Sequence, residues 1–107
     1  MKKRGFVSQE IADVVLERAG GVCENCGKET ESGEIHHIAP WIEATPENLI
    51  YLCFDCHRGT NGCHGRDGAA LALKIRIALQ EKYYSQGYNR DEVRKLMGGK
   101  IYIRVGK

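Results

Sequence analysis

A small α+β fold, one β-hairpin and several helices tied together by a four-cysteine zinc site, is predicted by three observations. The pairs Cys23-Glu24-Asn25-Cys26 and Cys53-Phe54-Asp55-Cys56 share the spacing at which a short turn aims two thiolates at one tetrahedral ion. Between them lie two short apolar segments, residues 34–38 and 48–52, joined by a loop that holds Pro40 and Pro46. Beyond the second pair, apolar residues recur at helical spacing, with Leu71, Ile75 and Leu79 on one stripe. At 107 residues the chain supports one core. The expectation is therefore a single domain over 1–107, with the zinc-tied core at 23–61 and a C-terminal helical region at 67–98.

Each element has a local cause. Ser8 is a suitable N-cap for a helix reaching Arg18, and Gly20-Gly21 stop it. The first cysteine pair follows, with Gly27 permitting a tight turn. Glu34-Ile35-His36-His37-Ile38 reads as a strand closed by Pro40, and Asn48-Leu49-Ile50-Tyr51-Leu52 as a second strand that delivers the chain to Cys53. The second knuckle turns into a helix carrying Cys56 and His57, expected to end near Gly59 or Asn61-Gly62. A longer helix spans 67–84. Asn89 with Glu92 three residues on forms a capping box for the last helix, and Gly98-Gly99 end it. Residues 101–105 alternate like an edge strand.

Composition excludes several classes. The 42% hydrophobic and 28% charged fractions fit a globular protein and not a disordered or collagen-like chain. No apolar run approaches the roughly 20 residues of a membrane span. Glu10, Asp13 and Glu17 interrupt the apolar stretch a secretory signal would need after the basic start, so a cytoplasmic protein is expected. The odd count of 5 cysteines then argues against a disulfide framework, and thiolate ligands favour zinc over magnesium or calcium. A redox C-x-x-C is the alternative, but it needs an exposed thiolate, and all four paired cysteines are committed to the metal. Cys63, the fifth, reads as a small packed residue.

Charge is uneven although the net is only +2. Residues 1–54 carry five basic against nine acidic side chains, and residues 55–107 carry eleven against five. A basic half suits a polyanionic partner, because each phosphate neutralised by Lys or Arg releases counterions.

The residues around the second cysteine pair carry further information. The sequence Ile35-His36-His37-Ile38-x-Pro40, then Asn48-Leu49-Ile50, then Leu52-Cys53-x-x-Cys56-His57, preceded by Cys23-x-x-Cys26, resembles the HNH endonucleases, the zinc-ribbon branch of the ββα-metal, treble-clef-like nucleases. The resemblance covers residues 23–57. It implies that His36 and His57 hold a catalytic divalent ion, that His37 is the general base, and that Asn48 ties the connecting loop in place and so holds the base. It also implies two metals with separate duties, a closed structural zinc on Cys23, Cys26, Cys53 and Cys56 and an open catalytic cation. The implied reaction is hydrolysis of DNA phosphodiester bonds, by nicking or by cleaving duplexes. An imidazole suits the role of base, since near neutral pH it can accept a proton from water. Two imidazole ligands suit Mn²⁺, Co²⁺, Ni²⁺ or Zn²⁺ better than Mg²⁺, and broad metal tolerance is expected.

The remaining residues are assigned as follows. Arg58 and Arg66 flank the site and are the best candidates for phosphate contact, which positions a duplex without reading it. Arg90, Arg94, Lys95 and Arg104 are further candidates. Successive strand residues face opposite ways, so His36 and His37 can serve one ion only if the strand bends or ends there. Asn61 stands where some relatives carry another histidine. His64 lies further on, with Gly59 and Gly62 interrupting any helix, so a phosphate contact or a turn is favoured for it over ligation. Glu34, two residues before His36 and on the same side of an ideal strand, could add a carboxylate to the site, but an exposed strand acid is favoured. Trp41, Tyr83, Tyr84 and Tyr88 read as packing residues. Two coordinated cuts would favour a homodimer with paired sites. The rival class is a treble-clef module that binds nucleic acid or protein without catalysis.

Overall fold

A computed structural model of the chain describes residues 7–39 and 42–102. The elements run α1 (Gln9–Ala19), β1 (Glu34–His37), a 3-10 turn (Pro46–Asn48), β2 (Leu49–Leu52), α2 (Phe54–His57), α3 (Ala69–Ser85) and α4 (Arg90–Leu96). With its hairpin followed by a helix and a cysteine pair on either side, the architecture is the α+β, ββα-metal arrangement expected.

The two strands pair antiparallel, Glu34 opposite Leu52 and His37 opposite Leu49. Strand alternation then sorts the hairpin into two faces. Ile35, Leu49 and Tyr51 pack with Val15 and Ala19 of α1. On the other face Ile50 and Leu52 join Cys23, Cys53, Ile75 and Leu79, and α4 adds Val93 and Met97. The hairpin is thus the middle layer between α1 and the C-terminal helices. It needs both covers, because an isolated two-stranded hairpin is marginal in water.

Local chemistry sets the ends. The Ser8 hydroxyl accepts from the Ile11 amide, and Gly20, at φ 62°, closes α1 with its amide on the Leu16 carbonyl. The capping box at Asn89 and Glu92 is formed in both directions. Three boundaries differ from expectation. α2 stops at His57, short of the glycines, and α3 starts only at Ala69. Asn48 belongs to the 3-10 turn and not to β2, because Thr45 caps that turn by accepting from the Asn48 amide. Ile101 and Tyr102 form no strand; residues 103–105 of that expected strand, together with Trp41 and Arg104, lie outside the described residues.

One side chain joins the α1 layer to the hairpin. Arg18 donates to both carboxylate oxygens of Glu24, at 2.6 and 2.8 Å, and to the carbonyls of Pro46 and Leu49, at 2.7 Å each. Glu24, inside the first knuckle, also accepts from the Tyr51 amide at 2.9 Å. The helix, the knuckle and β2 are therefore fixed to one another by charge-assisted hydrogen bonds.

Candidate metal centres

The four paired cysteines converge. Their sulfurs lie within 4.8 Å of one another, and Cys26 Sγ stands 3.8 Å from Cys53 Sγ. Two sulfurs on one tetrahedral zinc at about 2.3 Å are separated by about 3.8 Å, so the donor set fits that ion. The first knuckle favours thiolate. Burial opposes ionisation of Cys23, but sulfur-directed amides, including those of Asn25 and Cys26 at 3.4 Å each, outweigh it and bring the group down to about 6. Across the site the Asn25 side-chain amide donates to Cys56 Sγ at 3.3 Å. That does not offset burial and the crowding of the other thiols, which push Cys56 up to about 12. A Cys56 thiol held this high ionises readily only beside a cation, which is what a metal ion at this site would provide.

A second cluster lies on the hairpin face opposite α1. His36 from β1, His57 at the end of α2 and His64 from the following segment bring ring nitrogens within 4.8 Å of one another. The rings stack edge to face, with centroids 4.7 to 5.1 Å apart. His36 Nδ1 and His64 Nε2 are separated by 3.2 Å, close to the roughly 3.3 Å between two nitrogens on one tetrahedral ion. His36 and His57 are buried, whereas His64 is exposed, which leaves the cluster one open edge. Burial, then the neighbouring His57, His64, Arg76 and His37, hold His36 down to about 4, so it presents a neutral lone pair at pH 7.

Supporting side chains fix these rings. His57 Nδ1 meets Glu34 Oε1 at 2.7 Å, which leaves Nε2 for a ligand, and the same oxygen accepts from Arg58 Nε at 2.7 Å. Glu34 is half exposed and held below the usual carboxylate range by hydrogen bonds from Arg58 and His57. Arg76 on α3 donates from Nε to the Ile38 carbonyl at 3.1 Å, bracing the chain just past β1. His64 arrives by a fold-back: its amide donates to the His57 carbonyl at 2.8 Å, and the preceding Cys63 amide to the Cys56 carbonyl at 2.8 Å. This places next to His57 a residue that helical reasoning assigns to a turn.

Two sequence-predicted residues stand outside the cluster. Asn48 is fully buried; its Oδ1 accepts from the Ala39 amide at 2.7 Å, and its Nδ2 donates to the carbonyls of Ala39 at 3.0 Å and Glu43 at 3.4 Å. It clamps the loop that follows His37. His37, the last residue of β1, pairs opposite Leu49, and β1 keeps regular register through it, so its side chain leaves the strand on the α1 side. Its Nε2 is buried with no hydrogen-bond partner among the described residues, and burial lowers its affinity for a proton. Arg58 and Arg66 are both exposed; Arg58 is engaged by Glu34, while Arg66 lies 3.6 Å from Asp67 and is mostly in solvent.

Asn25 and Arg76 are supporting residues that sequence reasoning missed. Glu34, a candidate site carboxylate by its position two residues before His36, contacts His57 and Arg58.

Comparison with known proteins agrees with this fold. Residues 23–61 match the HNH endonuclease family model, a span that contains both knuckles, the hairpin and α2. The chain is also similar to the Type IV methyl-directed restriction enzyme EcoKMcrA of Escherichia coli (strain K12), at 36% identity over 55 residues. That match covers 41% of this chain and 20% of the length of the relative.

Proposed function

We propose that the protein is a metal-dependent endonuclease that hydrolyses DNA phosphodiester bonds. The observation that carries this reading is the cluster of three histidines with one exposed member, braced by Glu34 and set beside a complete four-cysteine site. A binding module held together by the cysteines has no use for a second set of converging imidazoles.

In this reading His36, His57 and His64 hold a divalent cation, of the kind imidazoles favour: Mn²⁺, Co²⁺, Ni²⁺ or Zn²⁺ ahead of Mg²⁺. When bound, the ion acts as a Lewis acid that offsets charge on the phosphoryl group and the leaving oxygen. His37 accepts a proton from the attacking water as the oxygen bonds to phosphorus and the ester bond to the 3′ oxygen breaks. Its Nε2 has no hydrogen-bond partner among the described residues, which leaves it free for that role, and burial disfavours the protonated ring. Asn48 is a positioning residue, fixing the loop that leaves His37 through Ala39. Arg66, exposed near the open edge of the site in sequence, contacts backbone phosphate, and one site makes a nick per encounter; paired cuts require a second copy.

The rival reading, a zinc module that binds DNA without cutting it, draws on one observation: the ring of His37 leaves the hairpin on the face opposite the three histidines. Nicking of supercoiled plasmid separates the two. Zinc-loaded wild type and His37→Ala are compared in chelator and with added Mg²⁺, Mn²⁺, Co²⁺ or Ni²⁺. The proposal expects metal-dependent nicking by wild type that is lost in folded His37→Ala. DNA binding without nicking under any cation favours the module, and full activity in the variant removes His37 as the base.

A further inference from the structure

The third histidine has no helix or strand to place it. Residues 58–68 instead form a run of tight turns, in which the Gly62 amide donates to the Gly59 carbonyl at 2.9 Å, Gly65 to Gly62 at 2.8 Å and Gly68 to Gly65 at 3.2 Å. Longer rungs tie successive turns together: Cys63 to Cys56, His64 to His57 and Asp67 to Thr60, each at 2.8 Å. Glycine recurs at 59, 62, 65 and 68, once per turn.

The reason is close approach rather than backbone conformation, since none of these four glycines has a positive φ. A Cβ on Gly65 would lie 1.8 Å from the Gly59 carbonyl oxygen and 2.6 Å from that of Thr60. One on Gly68 would lie 1.7 Å from the Gly62 oxygen, and one on Gly62 would lie 2.5 Å from the Asp55 oxygen at the base of α2. Every obstructing atom is backbone, so no side chain can swing aside. Gly65 adjoins His64, whose ring nitrogen must stay near 3.2 Å from His36 Nδ1.

We propose that Gly65 is a positioning residue for the histidine site: by letting its turn lie directly on Gly59 and Thr60, it holds His64 beside His36 and His57 before any ion binds. This inference rests on the three-histidine reading given above. Preorganisation of this kind lowers the ordering cost that a ligand on a free loop would impose on the ion.

The test is calorimetric titration of Ni²⁺ into zinc-loaded wild type, Gly65→Ala, His64→Ala and the double variant, with zinc content assayed after each run. Gly65→Ala is expected to bind the added ion about tenfold to a hundredfold more weakly, the loss typical of removing support from a ligand. One zinc per chain is expected to remain. If Gly65 acts through His64, the double variant binds no more weakly than His64→Ala alone. Losses that add, or a Gly65→Ala protein that binds Ni²⁺ like wild type, overturn the inference. Hydrogen exchange of the His64 amide in zinc-loaded wild type, without the second ion, provides a measurement free of mutation. Protection is expected, and exchange at the rate of an open chain overturns the inference; this measurement decides alone if Gly65→Ala loses its zinc. Wild type that takes up no Ni²⁺ overturns the three-histidine reading and this inference with it, whereas failure confined to Gly65→Ala leaves that reading standing.

Discussion

The cysteine centre and the histidine centre lie on the same hairpin and are built in opposite ways. Each half of the cysteine centre is made within four residues, and in the first the amides of Asn25 and Cys26 point at the Cys23 sulfur. The histidine cluster draws one ring from β1, one from α2 and one from a fold-back segment, and has Glu34 holding His57 in place. Their charges differ as well. Burial and the neighbouring thiols push the Cys56 thiol up to about 12, so it ionises with a cation beside it, while burial and the neighbouring rings keep His36 neutral without one. In the proposed reading the first is a coordinatively closed site that completes the fold, and the second is an open site whose ion can come and go.

Removing each centre should therefore have unequal consequences. Stripping the cysteine-bound zinc with a strong chelator should unfold the chain, since structural zinc contributes about 10 kcal/mol or more in small domains; far-UV circular dichroism with and without chelator reads this. A chain that keeps its helices without zinc would erase the distinction between the centres. His57→Ala should cut plasmid nicking about a thousandfold, the scale of several kcal/mol of lost transition-state stabilisation, with zinc content unchanged.

The supports give smaller effects. Asn48→Ala strands the amide and carbonyl of Ala39 in a buried loop and should cost about 3 kcal/mol in urea unfolding. Glu34→Ala frees His57 to rotate and should weaken binding of the second ion about tenfold to a hundredfold, read by Ni²⁺ titration, with little change in thermal stability. Arg66→Ala should weaken DNA binding equally across sequences and reduce the slope of log affinity against log salt by about 1, without altering either metal centre.

What the sequence makes legible follows the same division. The helix caps at Ser8 and Asn89, the two knuckles and the hairpin are set by residues within a few positions of one another, and local chemistry suffices to read them. His64 is read as a turn or phosphate contact because Gly59 and Gly62 break the helix. Its place beside His57 comes from contacts between backbones of successive turns, which no side-chain pattern announces except the recurrence of glycine at every third position. Glu34 reads as an exposed strand acid because its partners, His57 and Arg58, reach it only after α2 packs on the hairpin. The expected difficulty of aiming His36 and His37 at one ion has a physical outcome in the structure: β1 ends at His37 in regular register, and the two rings take opposite faces.

The claim that one hairpin carries two metal centres of different kinds is tested most directly by anomalous diffraction from crystals of the zinc-loaded protein soaked in Mn²⁺. The account predicts a zinc peak among Cys23, Cys26, Cys53 and Cys56 and a separate manganese peak within ligand distance of His36, His57 and His64. A single peak at the cysteines, with His36 Nδ1 and His64 Nε2 still hydrogen-bonded to each other, would contradict it.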